Sequence, residues 1–131
     1  MEPGEFTVEG LLVCDTVIQD AESGKRSYIG VFETIHSPVF PAQHRKFYVC
    51  FRMQGSGQHN LVIQIIGPKG VEDGMITQAG VAQLPREGAT VDQAVPFVNV
   101  VLPHEGEYSV RLLEDDKMVA STKFKCRKKG E

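Results

Sequence analysis

Histidine and acidic side chains near the predicted turns are the residues of this chain whose types could support chemistry. His36, His44 and His104 fall in predicted loops, close to a group of acidic residues, namely Glu72, Asp73, Glu105 and Glu107. Three imidazoles and a carboxylate can form the tetrahedral ligand set that binds zinc. No two of these histidines, however, have the HxH or HxxxH spacing of a zinc motif. A zinc site or a small enzyme at this end is therefore the alternative function.

A second set of candidate ligands is acidic. Asp20 and Glu22 follow the first predicted strand, whereas Glu114, Asp115 and Asp116 follow the seventh. If consecutive strands are antiparallel, these turns share one end of the fold and the histidines share the other. Calcium takes six to eight oxygen ligands, so the acidic end could bind this ion. The sequence nevertheless lacks the aspartate spacing and the Asp-Pro-Tyr-like strand of a C2-type calcium and phospholipid module.

The familiar catalytic and cofactor-binding motifs are absent from the sequence. It contains no GxSxG elbow, no CxxC pair, no GxxxxGK[ST] loop, no GxGxxG loop and no Trp for a carbohydrate platform. The net charge is −3, and only the C-terminal "KFKCRKKGE" concentrates positive charge. We therefore expect no catalytic residue, no cofactor and no nucleic-acid partner.

The cysteines and the N-terminus indicate where the protein works. Cys14, Cys50 and Cys126 are odd in number and far apart, which favours reduced thiols packed in a core. The apolar run at residues 11–14 is too short for a signal peptide or a membrane span. We expect a cytoplasmic protein that does not enter a membrane.

Glycine and proline divide the chain into short apolar runs of strand length. The first six predicted strands are residues 11–19, 26–35, 46–54, 61–65, 75–83 and 95–102. The second is apolar on both faces, which indicates a central strand. "GSGQHN" is predicted as a turn, and "LPREGATVDQ" as a loop or one helical turn. No long stretch has helical periodicity.

The last two predicted strands form a hairpin around the acidic tip. Tyr108, Val110 and Leu112 alternate on one strand, and Met118, Ala120, Thr122 and Phe124 alternate on the other. A three-residue loop, Glu114 to Asp116, sets Leu112 against Met118 and brings both rows to one face. We predict this loop, with its last residue in the left-handed conformation. The acidic tip then needs no role beyond the turn.

Together these elements predict an all-β chain with little or no helix. The expected fold is a single-domain antiparallel β-sandwich of about eight strands over residues 1–131, with residues 1–6 and 127–131 as flexible termini.

Two stretches of the sequence carry a family resemblance: "LLVCDTVIQDAESGKRSYIGVFETI" and "VVLPHEGEYSVRLLEDDKMVASTKFKC". They contain an apolar-Cys-Asp strand, a "GK" turn leading to "IGVF", and a Pro-x-x-Gly-x-Tyr hairpin. The positions that match are Leu12, Cys14, Asp15, Gly24, Lys25, Ile29, Gly30, Val31, Phe32, Pro103, Gly106 and Tyr108. In these features the chain resembles a family of uncharacterised bacterial proteins, a domain of unknown function. The Gly-x-Tyr hairpin also resembles the last strands of immunoglobulin-like and macroglobulin-like modules. The resemblance implies a bacterial, immunoglobulin-like sandwich and supplies no active-site residue.

The function expected from these observations is a non-enzymatic binding or accessory module. A protein partner or ligand would meet an exposed strand edge or an end loop. The apolar loop "SPVFPA", with Val39 and Phe40 between prolines, is one candidate surface, and a plug over the core is the competing interpretation. Self-association through an edge strand is a companion hypothesis.

Overall fold

The strands account for almost all of the fold. The computed structural model describes residues 6–130, apart from the side chains of residues 71, 73, 86 and 87. The strands are β1 (Phe6–Gln19), β2 (Arg26–Val31), β3 (Thr34–Ser37), β4 (Ala42–Ile66), β5 (Met75–Leu102), β6 (Gly106–Glu114) and β7 (Lys117–Lys128). Within residues 6–130 the only helical segment is a 3₁₀ turn, Gly70–Asp73. The predicted all-β fold with little or no helix is confirmed.

The strands form one curled sheet. Its order is β2-β1-β4-β6-β7-β3, and β5 runs beside β4. The first part of β4 pairs with β1 and its last part pairs with β6, so β4 passes through both halves of the sheet. All pairs are antiparallel except β3 with β7, which are parallel. The predicted antiparallel arrangement is therefore correct for every pair but this one.

Two predicted chain reversals, "GSGQHN" and "LPREGATVDQ", do not exist. β4 continues for 25 residues through the first segment, and β5 continues for 28 residues through the second. The register between them shifts where Gly55 pairs with Ala89 and Gly57 pairs with Leu84. Gly55 and Gly57 have positive φ, so these glycines form a bulge that bends the strand instead of turning it back. With β4 and β5 each continuous through the bend, the sheet has seven bounded strands, in agreement with the about eight that were expected.

The core lies between the two halves of the curled sheet. Phe47 of β4 stacks on Phe97 of β5 at 5.6 Å between ring centroids. Phe47 also lies 5.9 Å from Phe124 of β7, which belongs to the opposite half. All three rings are buried, and each buried aromatic side chain stabilises the fold by about 1.5–3 kcal/mol. The curl is closed by this aromatic packing.

The second predicted strand is an edge strand and not a central one. β2 stands first in the sheet order, and its Ile29 and Val31 are 47% and 57% exposed. The chain leaves β2 at Phe32, whose ring packs against Phe47 and Phe124. It then enters β3 beside β7. Apolar residues on both faces of β2 reflect this exposed edge, so the inference of a central position was wrong.

The C-terminal hairpin has a two-residue loop, which corrects the predicted three-residue loop. Glu114 pairs with Lys117, and both Asp115 and Asp116 have positive φ, as a type I′ turn requires. A bulge between the pairs of Leu112 and Leu113 then shifts the register, so that Leu112 faces Ala120 instead of Met118. The bulge takes up the extra residue and keeps the apolar row facing inward, while Met118 is exposed. The left-handed conformation predicted for Asp116 is confirmed.

The chain ends and the proline loop also differ in part from expectation. Residues 1–5 and residue 131 lie outside the described part of the chain, but Phe6 begins β1 and β7 extends to Lys128. Phe6, Arg127 and Lys128, which were expected in the termini, thus lie in strands. In the proline loop Phe40 packs against the core and Val39 is exposed. Phe40 thus acts as the plug, which was the competing interpretation.

Candidate functional site

One long strand edge is open along the whole sheet. β5 pairs with β4 from Met75 at Ile66 to Leu102 at Ala42, and no other described strand pairs with it. The bulge around residues 85–88 divides β5 into a first arm, residues 75–84, and a second arm, residues 89–102. An unpaired edge presents a row of free backbone N–H and C=O groups to any extended chain that reaches it.

The two arms differ in the features that normally prevent edge pairing. The second arm contains the exposed Pro96, the charged Asp92 and the positive-φ Asn99. Proline, charge and an irregular backbone are the devices by which natural edge strands avoid unwanted partners. The first arm, "MITQAGVAQL", contains no charged residue and no proline. It is open to pairing.

The remaining edges of the described sheet are short or charged. β2 has 6 residues with Arg26 at its start, and β3 has 4 residues. The part of β7 that β3 does not cover carries Lys117 and Lys123. A wide groove of about 660 Å³ beside it is also lined with Glu33, Glu107, Lys123, Lys125 and Arg127. Residues 6–13 of β1, which β2 does not cover, carry the charged Glu9 and an irregular backbone at Gly10. These edges are protected by length, charge or irregularity, which leaves the first arm of β5 as the accessible edge among the described strands.

An apolar pocket opens beside the first arm. It has a volume of about 200 Å³ and lies between the two arms of β5. Its floor is formed by Phe51, Leu61 and Ile63, all buried side chains of β4. Residues 78–82 form one wall, and Gln93 and Val95 of the second arm form the other. The pocket therefore connects the free edge with the core.

Gly80 is the reason for this pocket. It pairs directly with Leu61, so a side chain at position 80 would point to the same inward face. A Cβ atom placed there would meet no other atom within 4 Å, and the backbone φ of Gly80 lies outside the left-handed region. Glycine is thus not required by the backbone. Its missing side chain leaves space in an otherwise filled row.

Polar side chains at the pocket rim are amides and not charges. The Nε2 of Gln78 donates a hydrogen bond to the carbonyl of Pro96 at 2.8 Å, which ties the two arms together.

The one ion pair on the second arm joins Asp92 to Arg52, with 2.7 Å between Oδ1 and Nε. The hydrogen bond from Arg52 lowers the pKa of Asp92. This carboxylate is therefore already neutralised by its partner.

The histidines singled out from the sequence do not form a ligand set. His36 lies on β3, exposed, whereas His44 lies near the start of β4 with Nε2 4.0 Å from Oδ1 of Asp15. His104 precedes β6 and its backbone carbonyl accepts a 2.7 Å hydrogen bond from the hydroxyl of Tyr108. In the part of the chain that is described, no three His, Cys, Asp or Glu side chains are grouped closely enough to hold a metal ion.

The acidic neighbours of those histidines are dispersed as well. Glu105 accepts a hydrogen bond from the backbone N–H of Lys128, and Glu107 pairs with Lys123. Glu72 is exposed in the 3₁₀ turn, while the side chain of Asp73 lies outside the described residues. Glu105 and Glu107 therefore have roles in local structure.

The acidic turn residues lie at two different places, so the expected grouping is wrong. Asp20 follows the C-terminal end of β1, and the backbone N–H of Glu22 donates to its Oδ1, which lowers the pKa of Asp20. Glu114 instead contacts His59, whose ring stacks on Phe6 at the opposite end of β1. The grouping had assumed reversals at both bends of β4 and β5. Because these strands continue, the acidic turns are separated by the length of β1.

His59 is the buried polar residue that sequence reasoning missed. It is 1% exposed and is held by three neighbours: the Glu114 carboxylate at Nδ1, the Ser56 carbonyl at Nε2, 2.7 Å away, and the Phe6 ring. A signal existed, because inward positions from Phe47 to Ile65 fall on every second residue and His59 is one of them. Since Nε2 donates to a carbonyl, it is not available as a general base. His59 supports the bend of β4.

The cysteines are structural. Cys14, Cys50 and Cys126 are free and buried, as predicted from their number and spacing. Burial raises the pKa of Cys50 to about 12, and burial likewise raises the pKa of Cys126 to about 12. The thiolate is the nucleophilic form, so these thiols are poorly suited to attack a substrate.

The fold and the open edge define the class of protein: an all-β domain with one accessible strand. The chain belongs to a family described as a family of unknown function (DUF6941), which matches residues 9–127. The family resemblance stated from the sequence is thereby confirmed. A comparison with curated proteins found no match. No helix long and apolar enough to cross a membrane occurs within residues 6–130.

Two solved structures are similar in fold. One is the alkylpurine DNA glycosylase AlkC of Pseudomonas fluorescens, bound to DNA containing an abasic site analog, with a TM-score of 0.54 and 13% identity. The match covers 96% of this chain and 31% of that one, so this chain spans about a third of its length. The other is an immunoglobulin-like protein from Pseudomonas aeruginosa, with a TM-score of 0.44, 16% identity, and coverage of 94% and 97%. At these identities the first similarity concerns the fold alone, and the second score is too low for an argument.

Proposed function

We propose that this protein is a non-enzymatic binding module that accepts an extended segment of a partner protein at the first arm of β5, residues 75–84. The observation that carries the proposal is the combination of an unpaired backbone with a complete lack of charge over this stretch. A segment added to a sheet edge gains main-chain hydrogen bonds along its length, and side-chain pockets give specificity. A reducing compartment, the bacterial cytoplasm, is the setting that the three free thiols support.

The exposed side chains of the first arm fit this role. Met75 and Val81 are large, apolar and exposed on the arm that lacks protection. On the second arm Val98 and Val101 are also exposed, but they lie within two residues of Asn99 and come after Pro96. A regular incoming strand can therefore pair along the first arm, whereas the second arm interrupts it.

A binding selection with two matched variants tests the proposal. Decapeptides are selected from a random displayed library against the immobilised protein and then measured against Val81→Lys and Val98→Lys. Val81 and Val98 are valines of the same strand with 61% and 58% exposure, so both variants add the same charge at similar exposure. A lysine on an edge strand opposes pairing. We expect Val81→Lys to weaken the selected peptides by about tenfold or more and Val98→Lys to leave them nearly unchanged.

Other outcomes would contradict the proposal. If no selected peptide responds to Val81→Lys, the first arm is not a docking site. If light scattering shows a dimer that Val81→Lys converts to a monomer, the arm serves self-association, the companion hypothesis, instead of a separate partner. Both results replace the proposed function.

A further inference from the structure

We infer that the pocket at Gly80 receives one apolar side chain of Leu to Phe size from the partner segment. This inference rests on the proposed function, because the segment must lie along the first arm of β5. In paired strands, directly opposite residues place their side chains on the same face, about 4.5–5.5 Å apart between Cβ atoms. A partner residue opposite Gly80 would then lie over the pocket whose floor is Phe51, Leu61 and Ile63.

The size and lining of the pocket define the chemistry of this anchor. An apolar cavity of ~150 Å³ can hold a benzene-sized group, so about 200 Å³ accommodates one large apolar side chain. The floor has no polar side chain to pair with a charge, and burying an unpaired charge is very unfavourable. The walls offer only the amides of Gln78 and Gln93 as side-chain polar groups. An anchor with a carboxylate or an ammonium group is therefore rejected.

The same geometry favours a separate partner over a second copy of this chain. Two identical antiparallel strands related by a two-fold axis pair around one central residue, which faces its own copy. Two registers overlap equally, over nine of the residues 75–84: one sets Ala79 against its own copy and the other sets Gly80 against its own copy. The residue opposite Gly80 is then Gln78 or Gly80, so neither register brings a large apolar side chain to the pocket. An incoming segment with a large apolar residue at this position fills it.

The pocket exists because position 80 has no side chain, so the protein forgoes packing contacts that a larger residue there would make. A Cβ there meets nothing within 4 Å, and φ at Gly80 suits other residues. Valine is favoured in strands and would fill the space from within. Gly80→Val is thus expected to fold at least as well as the wild type while it competes with the anchor for the pocket.

The experiment uses the peptides selected against the wild-type protein. We expect them to share one apolar position, to lose about tenfold or more in affinity when that position becomes Ala, and to lose more when it becomes Asp. Gly80→Val is expected to weaken binding by a similar factor without a lower thermal midpoint, and Gly80→Ala by less. Amide exchange at residues 75–84 reports whether the peptide still lies on the arm.

The outcomes separate this inference from the proposed function. Peptides that respond to Val81→Lys but show no apolar preference, or that bind Gly80→Val as well as the wild type, overturn the anchor and leave the docking edge intact. A lack of any peptide that responds to Val81→Lys overturns both. A fall in the thermal midpoint of Gly80→Val would show that a side chain does not fit at position 80 without strain. In that case the affinity of the peptides is tested with Gly80→Ala instead.

Discussion

The contact between Glu114 and the buried His59 is predicted to stabilise the fold more than an exposed ion pair of the same sheet does. In Glu114→Ala the Nδ1 of His59 loses its hydrogen-bond partner while the ring stays buried at 1% exposure. A buried polar group without a partner costs about 1–3 kcal/mol. We expect a loss of about 2 kcal/mol, near the middle of this range, because Ser56 still satisfies Nε2 and Phe6 still covers the ring.

Glu107→Ala is the matched control for this prediction. Glu107 lies on the same strand, β6, and also pairs with a basic residue, Lys123, at 3.2 Å. The side chains of Lys123 and Glu107 are 64% and 50% exposed, and exposed pairs of this kind contribute about 0–1 kcal/mol. The carboxylate is the same, so the difference between the variants reports on its partner, the buried His59 in one case and the exposed Lys123 in the other. Glu114→Gln, which keeps an acceptor oxygen, should recover more than half of the loss.

Urea unfolding followed by circular dichroism measures these differences. With a slope of about 2 kcal/mol per molar urea, a loss of 2 kcal/mol lowers the midpoint by about 1 M. Glu107→Ala should move it by about 0.5 M or less. Equal midpoints for Glu114→Ala and Glu107→Ala would refute the claim that His59 depends on a buried carboxylate.

Three further measurements probe the fold. Asp92, whose pKa the hydrogen bond from Arg52 lowers below the usual 3.8, contributes stability that is present above that pH and is lost as the pH falls below it. The stability advantage of the wild type over Asp92→Asn should therefore shrink on acidification, and a constant difference from pH ~7 to ~3 would contradict this. Tyr108→Phe removes the 2.7 Å hydrogen bond to the carbonyl of His104 and should cost about 1–2 kcal/mol in urea unfolding; no change would argue against that bond. Cys50 should resist iodoacetamide at neutral pH until the protein is unfolded, since burial raises its pKa to about 12; rapid labelling of the native protein would show that the site opens.

The inward-facing rows could be predicted from the sequence because they depend only on period-two alternation. Phe47, Val49, Phe51 and Met53 were expected to face the core, and all are buried. The turns were harder. Gly55 and Gly57 have the composition of a reversal, but glycine with positive φ also permits a bulge in a continuous strand. A bulge forms instead of a reversal when the partner strand bends at the same place. Here β5 stays paired with β4 on both sides of the bend.

The candidate site could be predicted only in its general type. An exposed strand edge was among the expected surfaces, but edges are defined by pairing, and pairing is a property of the whole sheet. Pro96, which opposes pairing along the second arm of β5, can be identified in the sequence. That residues 75–84 lie at a free edge follows only from the sheet order. From the sequence alone, Gly80 indicates only a weakened strand. Its role as a pocket follows from its pairing with Leu61.

Amide hydrogen exchange of the protein with and without a selected decapeptide tests the docking edge most directly. Pairing along the first arm would protect amides within residues 75–84, whose outward N–H groups have no partner in the free protein, and would leave residues 92–101 unchanged. Protection confined to the second arm, to the "SPVFPA" loop or to the β6–β7 turn would contradict the proposed site.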